Sequence, residues 1–264
     1  VIPDSIRAEI LKRLHTIEQD NGVSILYACE SGSRAWGFAS PDSDYDVRFI
    51  YAHPVDWYLS FDIETRRDVI ELPIEDEIDC NGWDIRKTMY LFTRTNGALL
   101  EWLTSPIRYI ERGNLRSRLA ELAPKTANHV ALCYHYNHMA RHNAKEYLFS
   151  DQVKLKKYFY VLRPLLAIRY IEQKKQPPPI EFGKLVEAVA PKEIIPAIDK
   201  LLAIKQQLPE SGLGAPIPEI NHFIEAETRR HGETFKGQGR PDLEAGESAR
   251  LELNTIFREI LADL

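Results

Sequence analysis

Cysteine is scarce in this 264-residue chain: Cys29, Cys80 and Cys133 are its three, odd in number and far apart. No CxxC pair occurs, which argues against a disulfide framework and a zinc knuckle and suits a reducing cytoplasm. Long apolar runs are missing too, and none approaches the ~20 residues of a membrane span. The start of the chain is charged early and has no continuous apolar stretch, unlike a secretory signal. Nor is positive charge in excess. Lys and Arg number 34 against 39 Asp and Glu, a net charge of -5. That excludes a general nucleic-acid coat but not a local basic groove. The GxxxxGK[ST] loop, the GxSxG elbow and the HExxH helix are all absent, which argues against Walker ATPases, α/β-hydrolases and zincins.

What is present is an ordinary globular composition, 44% hydrophobic and 28% charged, which excludes wholesale disorder. Ile6, Ile10, Leu11, Leu14 and Ile17 recur at helical spacing, with Asp4 or Ser5 as N-cap and Asn21-Gly22 as the stop. Residues 23–29 are almost wholly apolar and predict a strand covered on both faces. A loop of small and polar residues follows over 30–43, and 44–51 is extended again. Further strands are expected over 68–74 and 77–83, with Pro73 and Glu75-Asp76-Glu77 marking the turn. From Asp84 the pattern is helical, with helices expected over 115–123, 126–149, 151–173, 181–188, 192–207, 217–231 and 246–263. The Gly-rich stretch 232–246 reads as a mobile loop. The organisation is a small α/β head, residues 1–110, followed by an all-helical tail, residues 111–264.

The chemistry concentrates in Gly32-Ser33 and, about ten residues later, Asp44-Tyr45-Asp46. On a strand, Asp44 and Asp46 share a face, while Tyr45, Val47 and Phe49 point into the opposite layer. Two carboxylates this close repel, and a divalent cation removes the conflict. Magnesium takes one or two carboxylates plus phosphate oxygens. Gly32 lets a backbone approach a phosphate, Ser33 adds a hydroxyl and Arg34 a positive charge. Together they suggest phosphoryl or nucleotidyl transfer with two metal ions. The bland alternative for Asp44 and Asp46 is a solvated turn, against which Asp46 sits inside an apolar frame that disfavours aspartate.

This segment resembles the signature of the DNA-polymerase-β-type nucleotidyltransferases. A longer resemblance runs over about 32–180: Gly32-Ser33-Arg34-Ala35-Trp36-Gly37-Phe38, Ser43-Asp44-Tyr45-Asp46-Val47-Arg48, Gly82-Trp83-Asp84-Ile85-Arg86-Lys87, Glu101-Trp102-Leu103, and the run from Lys156 to Pro164. It is similar to the RNA-repair-pathway family of predicted nucleotidyltransferases, associated with RNA ligases. The resemblance implies an α+β fold, with a mixed-sheet catalytic head and a helical domain completing the nucleotide cleft. It also implies an NTP substrate, Mg2+ or Mn2+, an RNA end as acceptor and an RNA ligase as pathway partner. Asp44 and Asp46 are then the metal-binding catalytic acids, and a third acid belongs on a neighbouring strand. Asp79 is favoured for that role by its place on the strand 77–83. Asp84, just before a helix and well placed to cap it, is the alternative.

Lys154, Lys157 and Arg163 recur at near-helical spacing. For the cation beside the leaving phosphates, Lys157 ranks first and Lys156 second, with Arg163 as a further nucleotide contact and Tyr158 or Tyr160 as a base-stacking ring. Their bland alternative is a solvated helix face. His135, His138 and His142 also share a helix face, where packing or substrate lining is favoured over metal ligation. Two other functions stay open at this level: transfer to a small molecule or a protein hydroxyl, and a non-catalytic nucleotide-binding module.

Overall fold

The computed structural model describes residues 2–147, 152–207, 213–234 and 245–264. Helix α1 (Asp4–Asn21) leads into strand β1 (Ser24–Glu30), the one-turn α2 (Gly32–Ala35) and β2 (Tyr45–Ala52). The short α3 (Val55–Tyr58), β3 (Val69–Glu71) and β4 (Ile78–Asp84) follow, then α4 (Ile85–Thr93), α5 (Gly97–Leu103) and β5 (Arg108–Glu111). The remainder is helical: α6 (Leu115–Thr126), α7 (His129–Tyr147), α8 (Lys157–Lys174), α9 (Phe182–Val189), α10 (Ile195–Gln207), α11 (Pro218–Thr234) and α12 (Glu247–Ala262). A two-residue ladder joins β6 (Val153–Lys154) to β7 (Leu213–Gly214).

The main sheet has the order β3-β4-β2-β1-β5. It is mixed, because β2 and β4 run parallel while the other pairs are antiparallel. Pleating sends alternate side chains to opposite faces. Val47, Phe49 and Tyr51 go under α1, where they meet Ile10, Leu14 and Ile17. Ile50 faces the other way into a core shared with α4 to α8. Asp46 and Arg48 have the parity of Ile50, so they stand on the face that the helices cover. The fold is thus α+β, a five-stranded mixed sheet with a helical C-terminal region.

Several local expectations need correction. The strand expected over 68–74 shrinks to Val69–Glu71, since Pro73 lacks the N–H that would continue it. Strand β5 has a charged residue at each end and no apolar alternation to announce it. Lys154 lies in β6 rather than on a helix, and α8 begins only at Lys157. Lys154 and Lys157 therefore share no helix face. Helix α1 is preceded by Pro3, with no side-chain cap, and its Leu11 is exposed. The expectations at 148–151 and over most of 232–246 lie outside the described residues, although 232–234 continue α11. All three cysteines are free and buried. Among the described residues no helix is long and apolar enough to cross a membrane.

Candidate active site

The site begins where β1 ends. The Ser31 N–H donates to the Asp46 carbonyl at 2.8 Å, and the chain then turns into α2. Gly32 makes that turn at φ +58, and a Cβ there would lie 1.9 Å from Asp46 Oδ2. Positive φ and close approach both require glycine. The loop beyond is seated by the helical region. Phe182 N–H donates to the Trp36 carbonyl at 2.9 Å. Phe38 stacks on Phe159 at 4.8 Å, and Lys205 Nζ donates to the Phe38 carbonyl at 2.5 Å.

Parallel pairing of β2 and β4 sets Asp46 directly opposite Asp79. Arg48 lies between them. Its Nη2 donates to Asp46 Oδ1 at 3.0 Å and to Asp79 Oδ2 at 2.7 Å. Its Nη1 donates to the Asp79 carbonyl at 2.9 Å. These charge-assisted bonds offset the repulsion between the two carboxylates. Both acids keep just over a quarter of their side chains exposed (29% and 27%).

Asp44 is not gathered with this pair. It precedes β2 and is exposed. Among the described residues no group of three or more His, Cys, Asp or Glu side chains could hold a metal ion. Arg34 is occupied with the turn that leads to Asp44. It donates to the carbonyls of Ser43 at 2.5 Å and Asp44 at 3.2 Å, and lies over the Tyr45 ring at 3.9 Å. Ser33 is buried.

Asp84 stands at the far end of β4, opposite Tyr51. Five residues of strand put it roughly 16 Å from Asp79. It is fully buried and caps α4, accepting from Arg86 N–H and from the Tyr58 hydroxyl, each at 2.7 Å. Burial pushes its carboxyl up to about 6. Asp84→Asn is expected to retain nucleotide transfer within about threefold and to change stability by less than about 1 kcal/mol, since asparagine caps a helix as well as aspartate. Asp79→Asn is expected to lose transfer. Steady-state rates and melting curves of the two variants check this.

The nucleotide-binding candidates of the helical tail divide. Lys156 precedes α8 and Lys157 opens it, with its Nζ 5.0 Å from the centre of the Tyr160 ring. Tyr160 packs edge-on against Trp36 at 5.5 Å, which brings the start of α8 to the Gly32 loop. Tyr158 is fully buried, with its hydroxyl on Asn221, and has no free face for a base. Arg163 is 1% exposed and lies beneath the loop, its guanidinium 4.5 Å from the Trp36 ring centre. It donates to Glu101 Oε1 at 2.9 Å, while Trp36 Nε1 donates to Glu101 Oε2 at 3.0 Å. Arg163 therefore supports the loop from below. His135 packs against Gly97, where a Cβ would approach it to 2.5 Å. His138 and His142 are exposed, with rings 6.5 Å apart.

Glu30 escaped the sequence reading, although an acid closing an apolar strand was a signal. It is fully buried, accepts from the Tyr109 hydroxyl at 2.5 Å, and its Oε1 accepts from Asp46 N–H at 3.1 Å. Burial raises its carboxyl from 4.5 to about 7. The fold thus prefers the protonated form. Stability is fully present below about pH 4.5 and is lost as the pH rises to about 7. The loss is up to about 3 kcal/mol. Between those pH values the melting temperature of the metal-free protein is expected to fall relative to that of Glu30→Gln. Melting curves across the window in a chelator check the sign.

The glycine turn, the paired strand acids and the mixed sheet fit the polymerase-β-type pattern that the sequence resembles, with Asp44 set apart from it. The chain belongs to the RNA repair pathway DNA polymerase beta family, whose model matches residues 6–259. It is 47% identical over 254 residues to the uncharacterized protein YcgL of Bacillus subtilis (strain 168), covering 95% of this chain and 96% of that protein. A nucleotidyltransferase-like protein from Exiguobacterium sibiricum 255-15 is a far more distant structural neighbour. It is 11% identical with a TM-score of 0.30, over 95% of this chain and 89% of that one.

Proposed function

We propose that this chain is a metal-dependent nucleotidyltransferase that moves a nucleoside monophosphate from an NTP to the hydroxyl of an RNA end. One observation carries the reading. Asp46 and Asp79 stand in register on adjacent parallel strands, and the Asp46 carboxylate fills the space that a side chain at Gly32 would take. Two carboxylates beside a glycine turn suit a hard cation such as Mg2+ or Mn2+, which keeps phosphate and water oxygens among its ligands. Asp46 and Asp79 would hold it, and Asp44, which stands apart from them ahead of β2, would not. Bound there, it would neutralise phosphate charge and lower the pKa of the acceptor hydroxyl.

The chain's own groups do the rest. Gly32 and Ser33 let the backbone approach the triphosphate. Arg34 orients the turn ahead of Asp44, and Arg163 sets the loop through Trp36. Lys157, and after it Lys156, meet the charge that builds on the leaving pyrophosphate. Asp79 takes the proton of the acceptor hydroxyl. The freed oxygen bonds to the α-phosphorus as the bond to the bridging oxygen breaks. The head, 1–110, and the tail, 111–264, form the two walls of this cleft. The family's place in an RNA repair pathway supports RNA as acceptor and an RNA ligase as partner. Three free, buried thiols suit a cytoplasmic setting.

The test is transfer of label from each α-labelled NTP with Mg2+ or Mn2+ to intact RNA, cleaved RNA, the protein itself and a small-molecule extract. Label on RNA, lost in Asp46→Ala, is the expected result. Label only on protein or a small molecule would overturn the RNA acceptor and keep the chemistry. No label on any acceptor would overturn transfer itself.

A further inference from the structure

A cavity of about 850 Å3 opens between α7 and α11, and none of the candidate catalytic residues lines it. Its volume is that of a small-molecule or cofactor cleft. Arg141 and Lys145 of α7 and Arg229 of α11 line it, and all three are exposed. Among the described residues none of the three has a carboxylate partner. Neighbouring arginines of the same helix packing behave otherwise. Arg230 is paired with Glu172 and Glu227, and Arg169 with Glu227. In a chain of net charge -5, three cations against the single carboxylate of Glu225 around one cleft mark an anion site.

A second, independent observation narrows the anion. Asn137 is 5% exposed and lines the same cavity, yet its Oδ1 has no hydrogen-bond partner. Across the cavity the Thr228 Oγ1 is likewise buried and without a partner. A buried polar atom left unsatisfied costs about 1–3 kcal/mol, so such atoms call for an explanation. Inorganic phosphate at neutral pH offers mainly acceptors and would leave the Asn137 carbonyl unsatisfied. The matching ligand carries negative charge and N–H or O–H donors side by side, as a nucleotide unit does through its phosphate, its ribose hydroxyls and its base. The near-parallel rings of His138 and His142 at the rim add a flat surface for stacking.

We propose that the α7–α11 cleft binds a nucleotide unit of single-stranded RNA. Its phosphates lie on Arg141, Lys145 and Arg229, and its donors reach Asn137 and Thr228. The inference rests on the reading that RNA is the acceptor, and gives the acceptor strand a place apart from the NTP.

The test is fluorescence anisotropy of a labelled single-stranded oligoribonucleotide with the full chain, in a chelator and over a range of salt. Arg141→Gln/Arg229→Gln is expected to weaken binding at least about tenfold and to reduce the log–log salt slope by about 1.4, at about 0.7 per phosphate contact. Asn137→Ala is expected to weaken binding about fivefold without changing that slope. Unchanged affinity and slope in the double variant, with its melting temperature intact, would overturn the proposal. So would inorganic polyphosphate that competes equally well and is insensitive to Asn137→Ala, since the cleft would then read charge alone. The two readings fail separately. RNA binding that needs the cleft, without label transfer, sinks the transfer reading. Label transfer to RNA with unchanged KM in the double variant sinks the cleft.

Discussion

Asp46→Asn should lower nucleotide transfer about 10^2- to 10^3-fold, the loss typical when a group stabilising transition-state charge is removed. Its melting temperature should match or exceed that of the wild type. Both expectations follow from one arrangement. Asp46 faces Asp79 across β2 and β4, and Arg48 is the cation shared between them. An asparagine can still accept from Arg48 through its carbonyl, and it no longer repels Asp79, so the fold loses little. The site loses one of its two exposed anionic donors, and an uncharged amide is a poor ligand for a hard cation. Gly32→Ala should match it in activity for a different reason, since its Cβ would displace the Asp46 carboxylate. Labelled transfer beside a thermal melt tests both. Transfer within tenfold of wild type in Asp46→Asn would remove this residue from the chemistry.

The largest loss of stability is expected from Arg163→Met. Glu101 is buried and accepts from Arg163, from the Tyr136 hydroxyl at 2.9 Å and from Trp36. Removing the cation strands a buried carboxylate, which costs about 3–5 kcal/mol. For a chain of this size that is roughly a 10 °C fall in melting temperature. Replacing both partners, as in Glu101→Leu/Arg163→Met, should recover a large part of the loss, because no buried charge is left alone. Scanning calorimetry of the two variants decides the matter. A double variant no more stable than the single one would show that packing under Trp36, rather than charge, is what Arg163 supplies.

How much of this was legible in the sequence follows from how local each feature is. The burial of Ile10, Leu14 and Ile17 was written in their spacing. So was the opposition of Val47 and Phe49 to Asp46, because strand parity is local. The glycine turn and the acids were readable as a motif, yet Asp44 fell outside the strand that was to align it with Asp46. Arg48 was in plain view but mute, because its role depends on the register of β2 with β4. Arg163 passes in the sequence for a nucleotide contact because its partner, Glu101, lies 62 residues away and nothing local announces the pair. Strand β5 was missed because its exposed ends are charged.

The floor under the Gly32 loop is supplied by Glu101, Phe159, Arg163, Phe182 and Lys205. Apart from Glu101, every one of these lies beyond residue 110. A head cut at that boundary would carry the acids, the sheet and the glycine turn, but the turn would rest on solvent. The motif therefore cannot be transplanted as a cassette. Whatever tightens or loosens α8 and α9 alters how the Gly32 turn is seated, so the tail can reshape the candidate site without contributing a carboxylate to it.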